Sequence, residues 1–262
     1  MKLFVTPPIA HLELSELGDN NFYVLAQLWK HNEKYREYTQ KAKEEGRFLI
    51  LDSGVGDEGE VIEKEELFKI TKIIRPNEVI PTDVLFDTHH TIDNCLWFIE
   101  QIKKEQIEDV DIFACPQGHD FQNYMMCYFF FESHEDIKTI GWSKKAIPHI
   151  LYPSKKRDQN IKESRIALFN HFHATEDFKK PVHCLGMGDP TEFKTYKLNT
   201  MMRSTDSCYP ILAAIKGIEL GKDEFKRVPT PKNYFDLKMT KKQIELAKRN
   251  VEFVKECCFQ CG

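Results

Sequence analysis

The sequence predicts an α/β protein in which strands and helices alternate from one end to the other. Three observations lead there. Seven short apolar runs, most of them bounded by Gly, Pro, Asp or Asn, read as buried strands. Longer stretches with apolar residues at helical spacing lie between them. No Gly/Ser-rich linker and no internal repeat divides the 262 residues. Such alternation implies a parallel sheet covered by helices. A single-domain, TIM-like (β/α)8 barrel spanning residues 1–262 is the first reading, because the length suits it. A doubly wound open sheet is the second, because seven strands are legible rather than a secure eight.

The strand candidates are Lys2–Val5, Phe48–Leu51, Val84–Phe86, Val110–Cys115, Ile137–Ile140, Val182–Leu185 and Asn199–Ser204. The first long helix is predicted over Asn21–Glu45, where Phe22, Leu25, Leu28 and Trp29 fall at helical spacing. Ile92–Gln106 carries Leu96, Ile99 and Ile102 in the same way. Phe121–Glu132, Ser164–Phe172, Ile211–Leu220 and Thr240–Cys257 complete the helices. Segment 222–239 is rich in Pro and Lys and reads as an irregular basic excursion before the last helix, over 240–257.

With 41% hydrophobic and 30% charged residues, the composition is that of a soluble globular protein. A net charge of -4 excludes binding of nucleic acid by bulk positive charge, but not by a local basic face. Charge is in fact uneven. Residues 44–66 hold nine acids and two bases, a net of -7. Residues 144–165 and 222–249 each reach +5. Solvated helix faces account for such runs, and so do two patches that receive a phosphate backbone. No apolar run approaches the roughly 18 residues of a membrane span, and Met1–Pro8 is too short for a signal peptide. Of eight Cys, five lie in apolar segments where Cys packs as a small hydrophobe, which suits a reducing cytoplasm.

In a barrel, function collects where strands end at their C-terminal side. Phe48–Leu51 runs into Asp52-Ser53-Gly54, and Val84–Phe86 into Asp87-Thr88-His89-His90. Asp111–Cys115 runs into Pro116-Gln117-Gly118-His119, and Ile137–Ile140 into Gly141-Trp142. Val182–Leu185 runs into Gly186-Met187-Gly188-Asp189-Pro190, and the next run into Arg203-Ser204-Thr205-Asp206-Ser207. Asp52, Asp87 and Asp206 would therefore converge at one mouth. Each Asp could simply cap the helix that follows its strand. Three together suggest divided labour instead, one carboxylate ionised as nucleophile and another carrying a proton, as at the anomeric carbon of glycosides.

This ordered set resembles the tRNA-guanine transglycosylase superfamily over residues 48–218. Leu51-Asp52-Ser53-Gly54 matches the first half of the family's Asp-Ser-Gly-Gly-Phe-Gln box, which departs here into Val55-Gly56-Asp57. Asp87, Gln117-Gly118, Gly141, Gly186-Met187-Gly188-Asp189-Pro190 and Asp206 before Pro210 follow in the family's order. The resemblance implies that Asp206 is the nucleophile at the sugar C1′ and Asp52 the general acid/base. It implies that Ser53, Asp87, Gln117, Gly118, Gly141 and Gly186 meet the base. Purine N–H groups suit a carboxylate and a purine carbonyl suits amide donors.

The family's zinc subdomain uses a Cys-x-Cys-x2-Cys set with a distant His. This chain ends in Cys257-Cys258-Phe259-Gln260-Cys261 with no His after it, and is shorter. It most resembles the compact, phage-type DpdA branch, whose members insert 7-deazaguanine derivatives such as 7-cyano-7-deazaguanine into DNA. DNA and a free 7-deazaguanine base are the implied partners, with tRNA as the alternative nucleic acid and no cofactor. Further alternatives are a barrel that binds nucleic acid or a modified base without chemistry, and an N-glycoside hydrolase.

Cys258 and Cys261 have half-site zinc spacing and Cys257 could add a ligand, but no fourth is evident. His171 and His173 fall on different faces of a helix, which argues against a metal pair. His89, His90 and His119 could line the pocket, or serve as ordinary loop residues. Trp142 and Tyr209 could stack on a purine, or pack in the core. Lys155, Lys156 and Arg157 are the clearest phosphate contacts, and Arg203 is expected at the same mouth.

Overall fold

The structure is a computed structural model, and it describes residues 1–54, 62–152, 160–175, 178–196, 199–222 and 228–258. Eight strands form one all-parallel, nearly closed barrel with helices around it: β1 (Lys2–Val5), β2 (Asn21–Leu25), β3 (Phe48–Asp52), β4 (Glu78–Ile80), β5 (Asp111–Ala114), β6 (Ile137–Ser143), β7 (Val182–Leu185) and β8 (Met202–Ser207). From β2 to β8 each strand pairs with the next in sequence, β8 returns to β1, and β1 and β2 are the two edges of the ladder. Side chains join the β1–β2 seam. Leu3 N–H donates to Asp19 Oδ2 (2.7 Å), and Asn21 Nδ2 donates to Leu3 O (3.1 Å). Gly18 allows that approach, since a Cβ there would lie 2.6 Å from Leu3 O.

Period-two alternation sorts the strand residues into two cores. Phe4, Tyr23, Leu25, Ile50, Ile80, Phe113 and Cys115 fill the barrel interior. Leu3, Val5, Phe22, Val24, Leu49, Leu51 and Ile112 face the helical layer. Because Ile50 points inward, Asp52 two residues on does so too, and it emerges at the C-terminal mouth.

The helices are α1 (Ala26–His31), α2 (Glu33–Glu44), α3 (Lys64–Ile74), α4 (Thr88–Lys104), α5 (Phe121–Ser133), α6 (Ala146–Leu151), α7 (Ile161–Thr175), α8 (Tyr209–Ile215) and α9 (Lys241–Cys258). Side-chain caps start three of them. Asn32 accepts from Tyr35 N–H, Asp87 from His90 N–H and Asp120 from Asn123 N–H.

Four elements depart from the sequence reading. Asn21–Leu25 is a strand, not the start of a helix. All five residues are buried, so both faces are covered, and Asn20 turns the chain at φ +49°. The apolar spacing of Phe22, Leu25, Leu28 and Trp29 straddled a strand and the helix behind it. Val84–Phe86 is a turn, not a strand: Asp87 N–H closes onto Val84 O (3.0 Å) and Phe86 sits at φ +65°. The strand is Glu78–Ile80, three residues long and stopped by Pro81. Helices α3 and α6 were not foreseen, although Leu67, Ile70, Thr71 and Ile74 of α3 form a buried stripe at helical spacing.

No helix among the described residues is long and apolar enough to cross a membrane.

Candidate active site

The C-terminal ends of the strands open into a cavity of about 480 Å³, within the usual range for small-molecule sites. Its wall brings together Asp52 after β3, Asp83 after β4, Ser143-Lys144-Lys145 after β6, Gly186 after β7 and Asp206 of β8. Its floor is the aromatic and aliphatic barrel interior. Its roof is the excursion, which contributes Lys232, Phe235 and Asp236. Tyr234 ties that roof down by donating from its hydroxyl to Thr6 O (2.9 Å).

Asp206 points inward from β8, where it pairs in register with Phe4. Its Oδ1 accepts from the backbone N–H of Gly186 (2.8 Å) and faces His183 Nε2 at 3.1 Å. Gly186 is at φ +67°, a conformation that favours glycine and that aims its N–H at the carboxylate. A Cβ there would also strike Lys144 Cδ at 2.4 Å. Burial alone would raise the Asp206 carboxyl. The His183 hydrogen bond, the Gly186 N–H and the Lys144 charge outweigh burial and hold it below the usual carboxylate range. Asp206 is thus a partly buried but ionised carboxylate.

Asp83 is the opposite case. It is 8% exposed, and burial pushes its carboxyl up to about 6, against smaller lowering contributions from Gln117, its own backbone, Cys115 and Lys145. Gln117 Nε2 donates to Asp83 Oδ2 at 2.5 Å, and Gln117 Oε1 accepts from Phe86 N–H (3.3 Å). Asp52 receives the Gly54 N–H on Oδ1 (3.1 Å). Gly54, at φ +83°, turns the chain away against Gln27.

Of the expected base-contacting residues, Gly186 lines the cavity and the others are placed elsewhere. Asp87 is a half-exposed helix cap: His90 N–H and the His90 ring (Nδ1, 2.7 Å) occupy its carboxylate, which lowers its pKa. The inward carboxyl of this strand end is Asp83, four residues earlier. Gln117 is fully buried beneath the wall and supports Asp83. Gly118 lets the backbone of Tyr124 approach, its Cβ position lying 2.3 Å from Tyr124 N. Gly141 makes room for Phe113 and Leu185 in the interior. Ser53 is fully buried, with no hydrogen-bond partner among the described residues.

Arg203 is not at the mouth. It lies at the closed end of the barrel, where Glu78 grips its guanidinium through both oxygens (2.5 and 2.7 Å). Lys155, Lys156 and Arg157 lie outside the described residues, as does Cys261. Cys257 and Cys258 pack in the core, and burial holds the Cys258 thiol well above its usual value, the reverse of what a thiolate ligand needs. Among the described residues no three His, Cys, Asp or Glu side chains gather as a metal-holding group. Trp142 packs with Phe172 and Phe178 in the outer layer, whereas Tyr209 does line the cavity. His119 pairs with Asp120 on the surface.

The lysines of the mouth were missed. Lys144 and Lys145 belong to one basic stretch and Lys232 to the other, so the two stretches meet at one cavity. The signal was present as two like-charged segments, but only the fold puts them together.

No family model matches the sequence, and no curated protein matches it significantly.

Proposed function

We propose that this barrel is a DNA guanine transglycosylase, a base-exchanging pentosyltransferase that replaces guanine in DNA with a 7-deazaguanine such as 7-cyano-7-deazaguanine. One observation carries the reading. A single cavity holds a carboxylate kept ionised, Asp206, beside a carboxyl raised to about 6, Asp83. An ionised carboxylate suits the positive charge that develops at a sugar C1′, a second carboxyl in the same cavity can meet the N–H edge of the base, and Asp52 on the same wall can carry the proton.

In the proposed reaction Asp206 attacks C1′ as the C1′–N9 bond breaks. The bond's electron pair leaves with guanine, which takes a proton from Asp52. The deoxyribose is then held as an ester of Asp206. The incoming base loses its N9 proton to Asp52, its N9 attacks C1′, and Asp206 leaves. Atoms and charge balance without a redox cofactor or a nucleotide. The base-edge role that the resemblance assigns to Asp87 passes to Asp83. Its ionised form can accept the N1–H and N2–H of guanine. An extruded nucleotide is required, since C1′ chemistry with base exchange cannot occur inside the stack. Lys144, Lys145 and Lys232 supply positive charge for the flanking phosphates.

The test is incorporation of labelled guanine or 7-cyano-7-deazaguanine into DNA, with tRNA as the parallel substrate. Exchange into DNA supports the proposal. Exchange into tRNA alone replaces the substrate, release of free base without replacement makes the protein a glycoside hydrolase, and binding without either makes it a binding barrel.

A further inference from the structure

The barrel interior holds a histidine that the reaction above leaves unused. His183 of β7 is fully buried and sits among Phe4, Tyr23 and Phe113, with ring centroids 5.7, 5.9 and 5.3 Å away. Its Nδ1 lies 2.8 Å from Ser204 Oγ and its Nε2 3.1 Å from Asp206 Oδ1. Ser204 Oγ in turn accepts from Arg203 Nε at 3.2 Å. Arg203 is clamped by Glu78 and donates to Thr139 Oγ1 (3.0 Å), whose hydroxyl donates back to Glu78 Oε1 (2.6 Å). A continuous hydrogen-bond chain therefore runs from the closed end of the barrel to the mouth.

The direction of that chain follows from donor chemistry. Arginine only donates. Ser204 Oγ therefore receives from Arg203 and has its single hydrogen to give to His183 Nδ1. A neutral imidazole that accepts at Nδ1 carries its proton on Nε2. Nε2–H then donates to Asp206, which as a carboxylate can only accept. Oδ1 of Asp206 is occupied by both His183 and Gly186, so Oδ2 is the oxygen left to a substrate.

We propose that His183 is the positioning residue of the nucleophilic carboxylate, and that Arg203, from the opposite end of the barrel, sets its tautomer through Ser204. The role rests on the reading of Asp206 as the nucleophile. It resembles the way outer partners orient metal-bound histidines, where their loss costs roughly 10- to 100-fold. The charged groups facing the pair are Arg203 and Glu78 from below, Arg165 from behind Gly186 and Lys144 from the rim, with Asp52 and Asp83 on the same cavity. Burial among three aromatic rings keeps the imidazole neutral, outweighing the pull of Asp206.

The first test uses the intact protein and needs no activity. Nitrogen-15 spectra of histidine are expected to show His183 with its proton on Nε2 and none on Nδ1 at pH 7. A proton on Nδ1, alone or with Nε2, would overturn the proposal. The second test is the carbon-13 titration of Asp206. His183→Leu should raise its midpoint by at least about one unit, a tenfold gain in proton affinity, and His183→Gln, which can donate and accept at the same two atoms, should hold it near wild type. An unmoved midpoint in His183→Leu overturns the proposal. If His183→Leu does not fold, Ser204→Ala replaces it. It should lose the single tautomer and lower kcat for exchange roughly 10-fold with KM unchanged, and an unaltered tautomer and kcat overturn the proposal. Wild-type protein that shows the expected tautomer and titration but no base exchange overturns the transglycosylase reading and leaves the positioning of Asp206 standing.

Discussion

The two ends of the barrel use the same residue types in opposite ways. At the closed end Glu78 and Arg203 meet through two hydrogen bonds, with Thr139 bonded to both, so each charge is matched within the protein. At the mouth, Asp206, Asp83 and Asp52 face a cavity. Asp206 takes a backbone N–H and an imidazole on one oxygen, and Asp83 takes the amide of Gln117. A matched buried pair holds the fold together, and removing either partner leaves an uncompensated charge. Asp206, held by the protein through Oδ1, keeps its charge for something that enters. The contrast separates residues that serve stability from those to which the proposed chemistry is assigned, in line with the two faces of such barrels generally.

The sharpest way to break the comparison is to neutralise one charge at each end. Asp206→Asn keeps the shape and an acceptor for His183 but removes the proposed nucleophile. Exchange and any covalent DNA adduct should fall by on the order of 10⁴-fold, with melting temperature little changed. Retained exchange would remove Asp206 from the chemistry. Glu78→Gln should do the reverse to stability. It leaves Arg203 without its counter-charge in a buried site, at a cost of about 3 kcal/mol, which for a chain of this size lowers Tm by roughly 10 °C. A variant of Glu78 as stable as wild type would mean that the closed end is not the structural end.

The same contrast explains what could be read from the sequence. Alternation disclosed the barrel, and β1, β3, β5 and β7 fall where apolar runs meet Gly, Pro or Asp. Asp52 and Asp206 were legible because each lies at the C-terminal end of its strand, so period-two alternation aims it inward. Asp83 was not. Between β4 and α4 two aspartates compete, and only the turn at Val84–Asp87 decides that Asp87 caps the helix while Asp83 faces the cavity. Arg203 was misplaced because its partner Glu78 is distant in the chain, and a charge in a strand does not announce which end of the barrel it occupies. Lys144, Lys145 and Lys232 belong to basic runs whose common destination is a property of the closed sheet.

Asp83 gives a pH-dependent version of the comparison. Its folded pKa of about 6 lies above the ordinary carboxylate value, so the folded state binds this proton more tightly than the unfolded one. Stability attached to this group is fully present below the unfolded pKa of about 3.9 and is lost as pH rises through about 6. The loss is about 3 kcal/mol. Asp83→Asn should therefore gain stability relative to wild type between pH 4 and pH 7 in chemical denaturation, and equal slopes in the two proteins would show that Asp83 is not a strained buried acid. In the proposed reaction only ionised Asp83 accepts the N–H edge of guanine. KM for the free base should rise in wild type as pH falls below about 6, and Asp83→Asn should show a high KM at every pH.

The smallest expected effect comes from the roof, and it asks whether the mouth is a rigid wall throughout. Tyr234 is buried, and its hydroxyl donates to Thr6 O just beyond β1. Through this bond the segment carrying Lys232, Phe235 and Asp236 is fastened to the barrel. Tyr234→Phe removes one hydrogen bond and leaves the ring in place, so the fold should lose about 1 kcal/mol. The carboxylates are held by β3, β4 and β8 and their loops, not by the roof, so kcat should be unchanged. What should change is the placement of Lys232 over the DNA, raising KM for DNA a few-fold, more so at higher salt where phosphate contacts weaken. If kcat falls and KM stays constant, the roof shapes the reacting groups themselves, and the division between a rigid catalytic wall and a separately tethered cover is wrong.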